Sequence, residues 1–181
     1  MFDEAELETW VVEELGELEW KPIPGVELAP GSGERENWNE LVLRGRLMQA
    51  LRNLNPEVPE EYLQQAMAEV IAPKSQSSIA ENERVHRILV EGYRGIEYID
   101  HEGQIQNPTI RFVSANPGLN DYVAANQVII RSRDHERRFD VVLYLNGMPV
   151  SIIELKRVGS SADLENAYNQ LPFCQHRGGG K

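Results

Sequence analysis

Two apolar runs on either side of Asn146-Gly147 constrain this chain more than any other feature. Val141 to Leu145 and Val150 to Ile153 consist of β-branched and large apolar residues, and Asn-Gly between such runs is the strongest short-range signal for a β-hairpin. Val142, Tyr144, Val150 and Ile152 alternate with Val141, Leu143, Leu145 and Ile153, so both faces of each strand are apolar. The pattern predicts a hairpin inside a sheet covered on both sides. Three charges stand against that background: Asp140, Glu154 and Lys156. Burying a carboxylate or an ammonium among apolar strands costs several kcal/mol unless a metal or an opposite charge compensates it.

Register decides whether these charges meet. Glu154 and Lys156 are two apart and project from one face, while Asp140 sits at the start of the partner strand. A strict two-residue turn at Asn146-Gly147 pairs Asp140 with Ile153 and sends the two carboxylates to opposite faces. A three-residue loop through Met148, with Gly147 left-handed and a bulge, sets Asp140 directly against Glu154. An ion pair on an edge strand, with Asp140 capping a turn, is the alternative for such a trio; the two-sided apolar pattern argues against an edge.

Asp followed about a hairpin later by Glu-x-Lys resembles the metal site of restriction-endonuclease-like nucleases. The likeness extends through Asn126-Gln127 and Val128 to Ile130, then Arg138-Phe139-Asp140-Val141-Val142-Leu143-Tyr144-Leu145-Asn146-Gly147-Met148-Pro149-Val150 and Ile153-Glu154-Leu155-Lys156-Arg157. This string is similar to the N-terminal nuclease domain of the R subunit of type I restriction-modification enzymes. The resemblance implies an α/β fold with a central mixed β-sheet flanked by helices and a helical N-terminal lead-in. It also implies an endonuclease that cleaves double-stranded DNA with Mg²⁺, or Mn²⁺ as a substitute. Asp140, Glu154 and the backbone carbonyl of Leu155 would bind the metal, and Lys156 would orient the attacking water or offset charge on the transition state. Gln170 matches a Gln on the following helix, but Cys174 stands where the family has a Tyr, and Pro172 interrupts that helix. Modification and specificity subunits are the implied partners. ATP would enter only through motor domains that follow the nuclease in R subunits several times longer, so the chain is expected to be a fragment, an engineered domain or a truncated gene product. The rival reading is an inactive nuclease-like docking module, which the changes at Pro172 and Cys174 favour.

The net charge of −11 opposes binding to DNA, yet twelve of the 29 acidic residues fall within the first forty positions, with only Lys21 and Arg35 beside them. Arg131, Arg133, Arg137, Arg138, Lys156 and Arg157 make a local basic patch near the three charges, and phosphate contacts depend on such local charge. Residues 131–137 by themselves are equally compatible with a solvated charged loop. The single cysteine excludes an internal disulfide and fits a reduced, cytoplasmic chain; no apolar run is long enough to span a membrane, and the acidic start is unlike a signal peptide. His86, His101, His135 and His176 lack metal-ligand spacing.

Along the chain, Leu7, Val11, Val12 and Leu15 predict an amphipathic helix from Glu4 that stops near Gly16, with Trp10 and Trp20 packed on the domain. Pro22, Pro24, Pro30 and Gly31-Ser32-Gly33 predict an irregular connection. Helices are expected over Glu36–Leu54, Pro59–Ile71 and Ile79–Glu91. Strands are expected over Ile96–Ile99, Thr109–Val113 and Tyr122–Arg131, with a loop at 114–120, and the resemblance implies that they share the sheet of Asp140. A further helix is expected over Ala162–Gln170, capped by Ser160 or Ser161. These elements divide the chain into a lead-in at 1–78, a nuclease core at 79–176 and a disordered tail at 177–181.

Overall fold

Helix signals and strand signals segregate along this sequence, and the computed structural model, which describes residues 4–133 and 135–155, follows them into a mixed α/β fold. In chain order the elements are α1 (Glu4–Glu17), β1 (Lys21–Pro24), α2 (Arg44–Leu54), α3 (Glu60–Ile71), α4 (Ser78–Glu91), β2 (Tyr98–Ile99), β3 (Ile105–Gln106), β4 (Tyr122–Ser132), β5 (His135–Leu145) and β6 (Met148–Ile153). The central sheet has the order β1-β4-β5-β6, with β1 parallel to β4 and the other neighbours antiparallel. Helix α1 packs along β1, β4 and β5 through its half-buried Leu7, Val11, Val12 and Leu15. Trp20 packs edge-to-face on Tyr122 at 5.2 Å as expected, but Trp10 points to solvent.

Two apolar clusters hold the molecule together. One joins α2, α3 and α4 through Leu47, Leu51, Leu63, Val70 and Ile88 to Ile110, Phe112 and Met148. The other joins Ile23, Leu28 and Leu43 to Val123, Ala125, Val128, Phe139, Val142 and Tyr144 of the sheet. Each fully buried large side chain contributes about 1.5 to 3 kcal/mol. Ser77 caps α4 by accepting the Ala80 N–H at 3.4 Å, and Glu60 and Glu61 complement the dipole at the start of α3.

Several expectations need correction. The segment around Pro22 and Pro24 is a strand on one edge of the sheet, where two prolines two residues apart leave the same side without N–H groups and cost no ladder bonds. The second helix begins at Arg44, because the backbone before it is committed elsewhere: Leu43 N–H donates to the Gly147 carbonyl at 2.9 Å, and the Trp38 carbonyl accepts from Arg131 N–H at 2.9 Å. Strands β2 and β3 form a separate two-stranded sheet, anchored to α3 by stacking of Tyr98 on Tyr62 at 4.3 Å. Residues 109–113 make only an isolated bridge between Ile110 and Tyr93. Their polar groups are satisfied by side chains instead: Asn55 bonds the Arg111 carbonyl at 2.9 Å and its N–H at 2.7 Å, and Asn146 bonds the Phe112 carbonyl at 2.8 Å. Of residues 131–137, for which a charged loop was the alternative, Arg131 ends a strand as expected and Arg137 lies on the next strand. Among the described residues β6 pairs on one side only, and Val150 and Ser151 are exposed, so the hairpin is not covered throughout as its apolar pattern suggested.

Candidate active site

Asn146 and Gly147 both have positive φ, 52° and 81°, and close a two-residue turn between Leu145 and Met148. The three-residue loop that would bring the carboxylates together is therefore absent. A bulge does the same work further along: Tyr144 pairs with Pro149, but Leu143 pairs with Ser151, leaving Val150 as the extra residue on β6. Beyond it Val142 faces Ile152 and Val141 faces Ile153. Continuing this register sets Asp140 against Glu154, just past the end of β6. The Leu155 N–H donates to Asp140 Oδ2 at 2.7 Å, which ties the Glu154-Leu155 segment to the Asp140 carboxylate. Asp140 and Glu154 are both half-buried.

Asp140 also sits at a kink in β4 and β5. Phe139 and Val142 enter the same apolar cluster although three residues separate them in number, and so do Ala125 and Val128 on β4. Regular strands would send residues three apart to opposite faces, so each strand changes face between them. On β4 the change occurs at Gln127, whose φ of 54° is left-handed and unusual for a non-glycine residue. Asn126 pairs with Val141 and Val128 with Phe139, so Gln127 lies across from Asp140. Such a backbone costs of order 1 to 3 kcal/mol and persists only where its surroundings hold it.

Two elements hold this kink. Glu8 of α1 accepts from the side-chain amide of Asn126 at 2.8 Å and from that of Gln127 in a shorter contact. Gly25 lies so close that a Cβ built there would come within 2.5 Å of the Asn126 and Gln127 carbonyls. Neither Glu8 nor Gly25 was apparent from the sequence as a site neighbour. Glu8 is one of many glutamates in an acidic helix, although the polar pair Asn126-Gln127 inside an apolar strand does signal that something special happens there.

Beside the site, the end of the β4–β5 hairpin is basic. Arg131 lies over the Trp38 ring at 4.2 Å and forms an ion pair with Glu136, while Arg133, Arg137 and Arg138 are exposed. Arg35 supports this corner from inside: it is buried and donates to the carbonyls of Leu28 at 2.5 Å, Glu40 at 3.1 Å and Ile129 at 3.0 Å. Burial lowers its pKa, against the opposing influence of nearby Tyr144 and Glu40. Among the described residues no group of three or more His, Cys, Asp or Glu side chains is placed to hold a metal ion, and no helix is long and apolar enough to cross a membrane. Lys156 and Gln170, together with Pro172, Cys174 and the helix expected over 162–170, lie outside the described residues.

Comparison with known proteins adds a family to this geometry. The family model described as the type I restriction enzyme R protein N terminus matches residues 1–178. The chain belongs to this family. It is 30% identical over 176 residues to the type I restriction enzyme HindI endonuclease subunit of Haemophilus influenzae, covering 94% of this chain and 16% of that protein. It is 25% identical over 167 residues to the putative type I restriction enzyme MjaIXP endonuclease subunit of Methanocaldococcus jannaschii, covering 90% of this chain and 16% of that protein. The chain thus spans about one sixth of the length of these family members. The family match includes every residue of the bulged hairpin and of the Gln127 kink.

Proposed function

We propose that this chain is the Mg²⁺-dependent endonuclease domain of a type I restriction enzyme R subunit, hydrolysing phosphodiesters of double-stranded DNA. The observation that carries the reading is the bulge at Val150, whose register turns Asp140 toward Glu154 in a chain of this family. The donor set suits the metal: Mg²⁺ keeps several waters and needs only one or two carboxylates, so a cluster of three acidic side chains is not required. Asp140, Glu154 and the Leu155 carbonyl would hold it, and when bound it would polarise the scissile phosphate and acidify a water.

The chain's own groups do the remaining work. The Leu155 N–H fixes the orientation of the Asp140 carboxylate by occupying one of its oxygens. Lys156, two residues after Glu154 in the sequence, would orient the attacking water or offset charge on the pentavalent transition state. Gln170 would make a peripheral contact. The modification and specificity subunits would select the DNA, and ATP would act only through motor domains elsewhere in the R subunit, in the cytoplasm.

Nicking of supercoiled plasmid with Mg²⁺, by this chain and by the full-length R subunit, tests the reading. Lys156→Ala is expected to lose about 10²-fold or more in rate, because it removes a group acting on the transition state. Gln170→Ala is expected to lose less than about tenfold, the cost of one peripheral hydrogen bond. Wild-type speed in Lys156→Ala, or no nicking by either wild-type form, would make the docking-module reading the better one.

A further inference from the structure

Two clefts beside the candidate site share one wall. The first runs from Gln127, opposite Asp140, past Arg138 to Trp38; the second continues from Trp38 to Arg131 and Arg133. Trp38 stands where β1 has ended: β1 pairs with β4 only as far as Asn126, and the Trp38 carbonyl takes the Arg131 N–H of β4 at 2.9 Å. Arg131 lies over its ring at 4.2 Å and Arg35 at 5.9 Å. The two clefts therefore form one track along the β4–β5 hairpin, starting at the residues that flank Asp140.

The charge on this track is one-sided. Arg138 lies two residues before Asp140 and pairs with Ile129, which lines the first cleft beside it. Arg137, the next residue, projects to the opposite face, where its partner Ile130 packs against the apolar core. Arg131 is partly neutralised by Glu136, which leaves Arg133 and Arg138 as the principal cations along the cleft. In a chain of net charge −11, two exposed guanidinium groups beside a proposed phosphodiester-cleaving site have a specific complement, a polyanion that enters it.

We propose that this track binds the phosphodiester backbone of duplex DNA on one side of the scissile bond, with Arg133 and Arg138 as phosphate contacts and Trp38 as the rigid wall that orients Arg131. The seven residues from Gln127 to Arg133 span about 20 Å of extended chain, enough for about six nucleotides at a rise of roughly 3.4 Å each. The contacts are to phosphate, so they position DNA without reading its sequence. The inference rests on the reading that DNA is the substrate, but binding by the track requires no metal.

The test is binding of a short fluorescent DNA duplex to the 181-residue chain in EDTA, with anisotropy followed as salt is raised. For wild type, log K is expected to fall linearly with log salt concentration. Arg133→Ala/Arg138→Ala is expected to weaken binding by about tenfold or more at ~50 mM salt and to make the slope shallower by about 1.8, or about 0.9 for each lost phosphate contact. Arg133→Lys/Arg138→Lys is expected to recover most of the affinity and slope. Arg137→Ala, a change of the same charge on the other face, is expected to stay within about threefold of wild type. Thermal melts establish that all variants are folded. Unchanged affinity and slope in the double alanine variant, an equal loss in Arg137→Ala, or no duplex binding by wild type would each overturn the track. Arginine-dependent binding in a protein that never nicks would uphold it while the nuclease reading fails.

Discussion

Asp140→Ala is expected to abolish binding of Mn²⁺ to this domain, lowering the affinity by more than about 100-fold. Losing a partner that merely orients a metal ligand typically costs 10- to 100-fold, and Asp140 is proposed to be a ligand itself, supplying one of only two carboxylates. Continued one residue past Val141 and Ile153, the register would set Asp140 against Glu154, and the proposed cation would offset repulsion between the two carboxylates. In wild type, Mn²⁺ should therefore raise the melting temperature with the logarithm of its concentration above Kd, because it binds the folded chain alone. In Asp140→Ala that rise should vanish. The variant also leaves the Leu155 N–H without the carboxylate it donates to, a loss of about 1 kcal/mol that shows in the metal-free melt and is separable from the metal effect. Equal Mn²⁺ titrations for wild type and Asp140→Ala would remove the metal site.

The hairpin that carries these residues was legible because its signals are local. Asn146-Gly147 supplies two positive φ values, and the flanking runs are apolar enough to admit no other element. The device that sets the register was not legible. Met148 to Ile153 offers no glycine or charge to mark Val150 as the extra residue, and sequence alone pointed to a longer loop instead. The kink at Gln127 escaped for a related reason: it depends on Glu8 and Gly25, which are more than a hundred residues away in sequence. Strand β1 was hidden by prolines that ordinarily argue against strands, and which this edge position tolerates. The helix expected over 36–54 was too long because its first half spends backbone hydrogen bonds on the β4–β5 and β5–β6 hairpins. In each case long-range hydrogen bonding overrode a correct local preference, and most of these overrides lie next to Asp140 or hold its hairpin in place.

Gly147→Ala is expected to destabilise the domain by roughly 3 to 5 kcal/mol, combining a left-handed backbone penalty with overpacking. Its φ is 81°, and a Cβ there would collide with the Leu43 carbonyl and lie 2.7 Å from Leu47 N. Neither neighbour is the end of a flexible side chain; both belong to the start of α2, and the Leu43 N–H itself donates to the Gly147 carbonyl at 2.9 Å. Asn146, buried beside it, bonds the Asp121 N–H at 2.7 Å through its side chain and the Asp121 carbonyl at 2.8 Å through its backbone. The turn is thus clamped from both sides, and the clamp fixes where β5 ends and β6 begins before the bulge sets their register. A loss of this size is a large fraction of the 5 to 15 kcal/mol that holds a typical domain together. Urea unfolding should show a much lower midpoint at unchanged slope, which is the sign of altered stability in an otherwise similar native state. A second measurement separates the clamp from the site: at low temperature, where Gly147→Ala is still folded, its Mn²⁺ affinity should fall less than that of Asp140→Ala, since the bulge and both carboxylates remain. An unfolding free energy within about 1 kcal/mol of wild type would mean that the turn can leave α2 freely, and that the hairpin owes its position to the sheet alone.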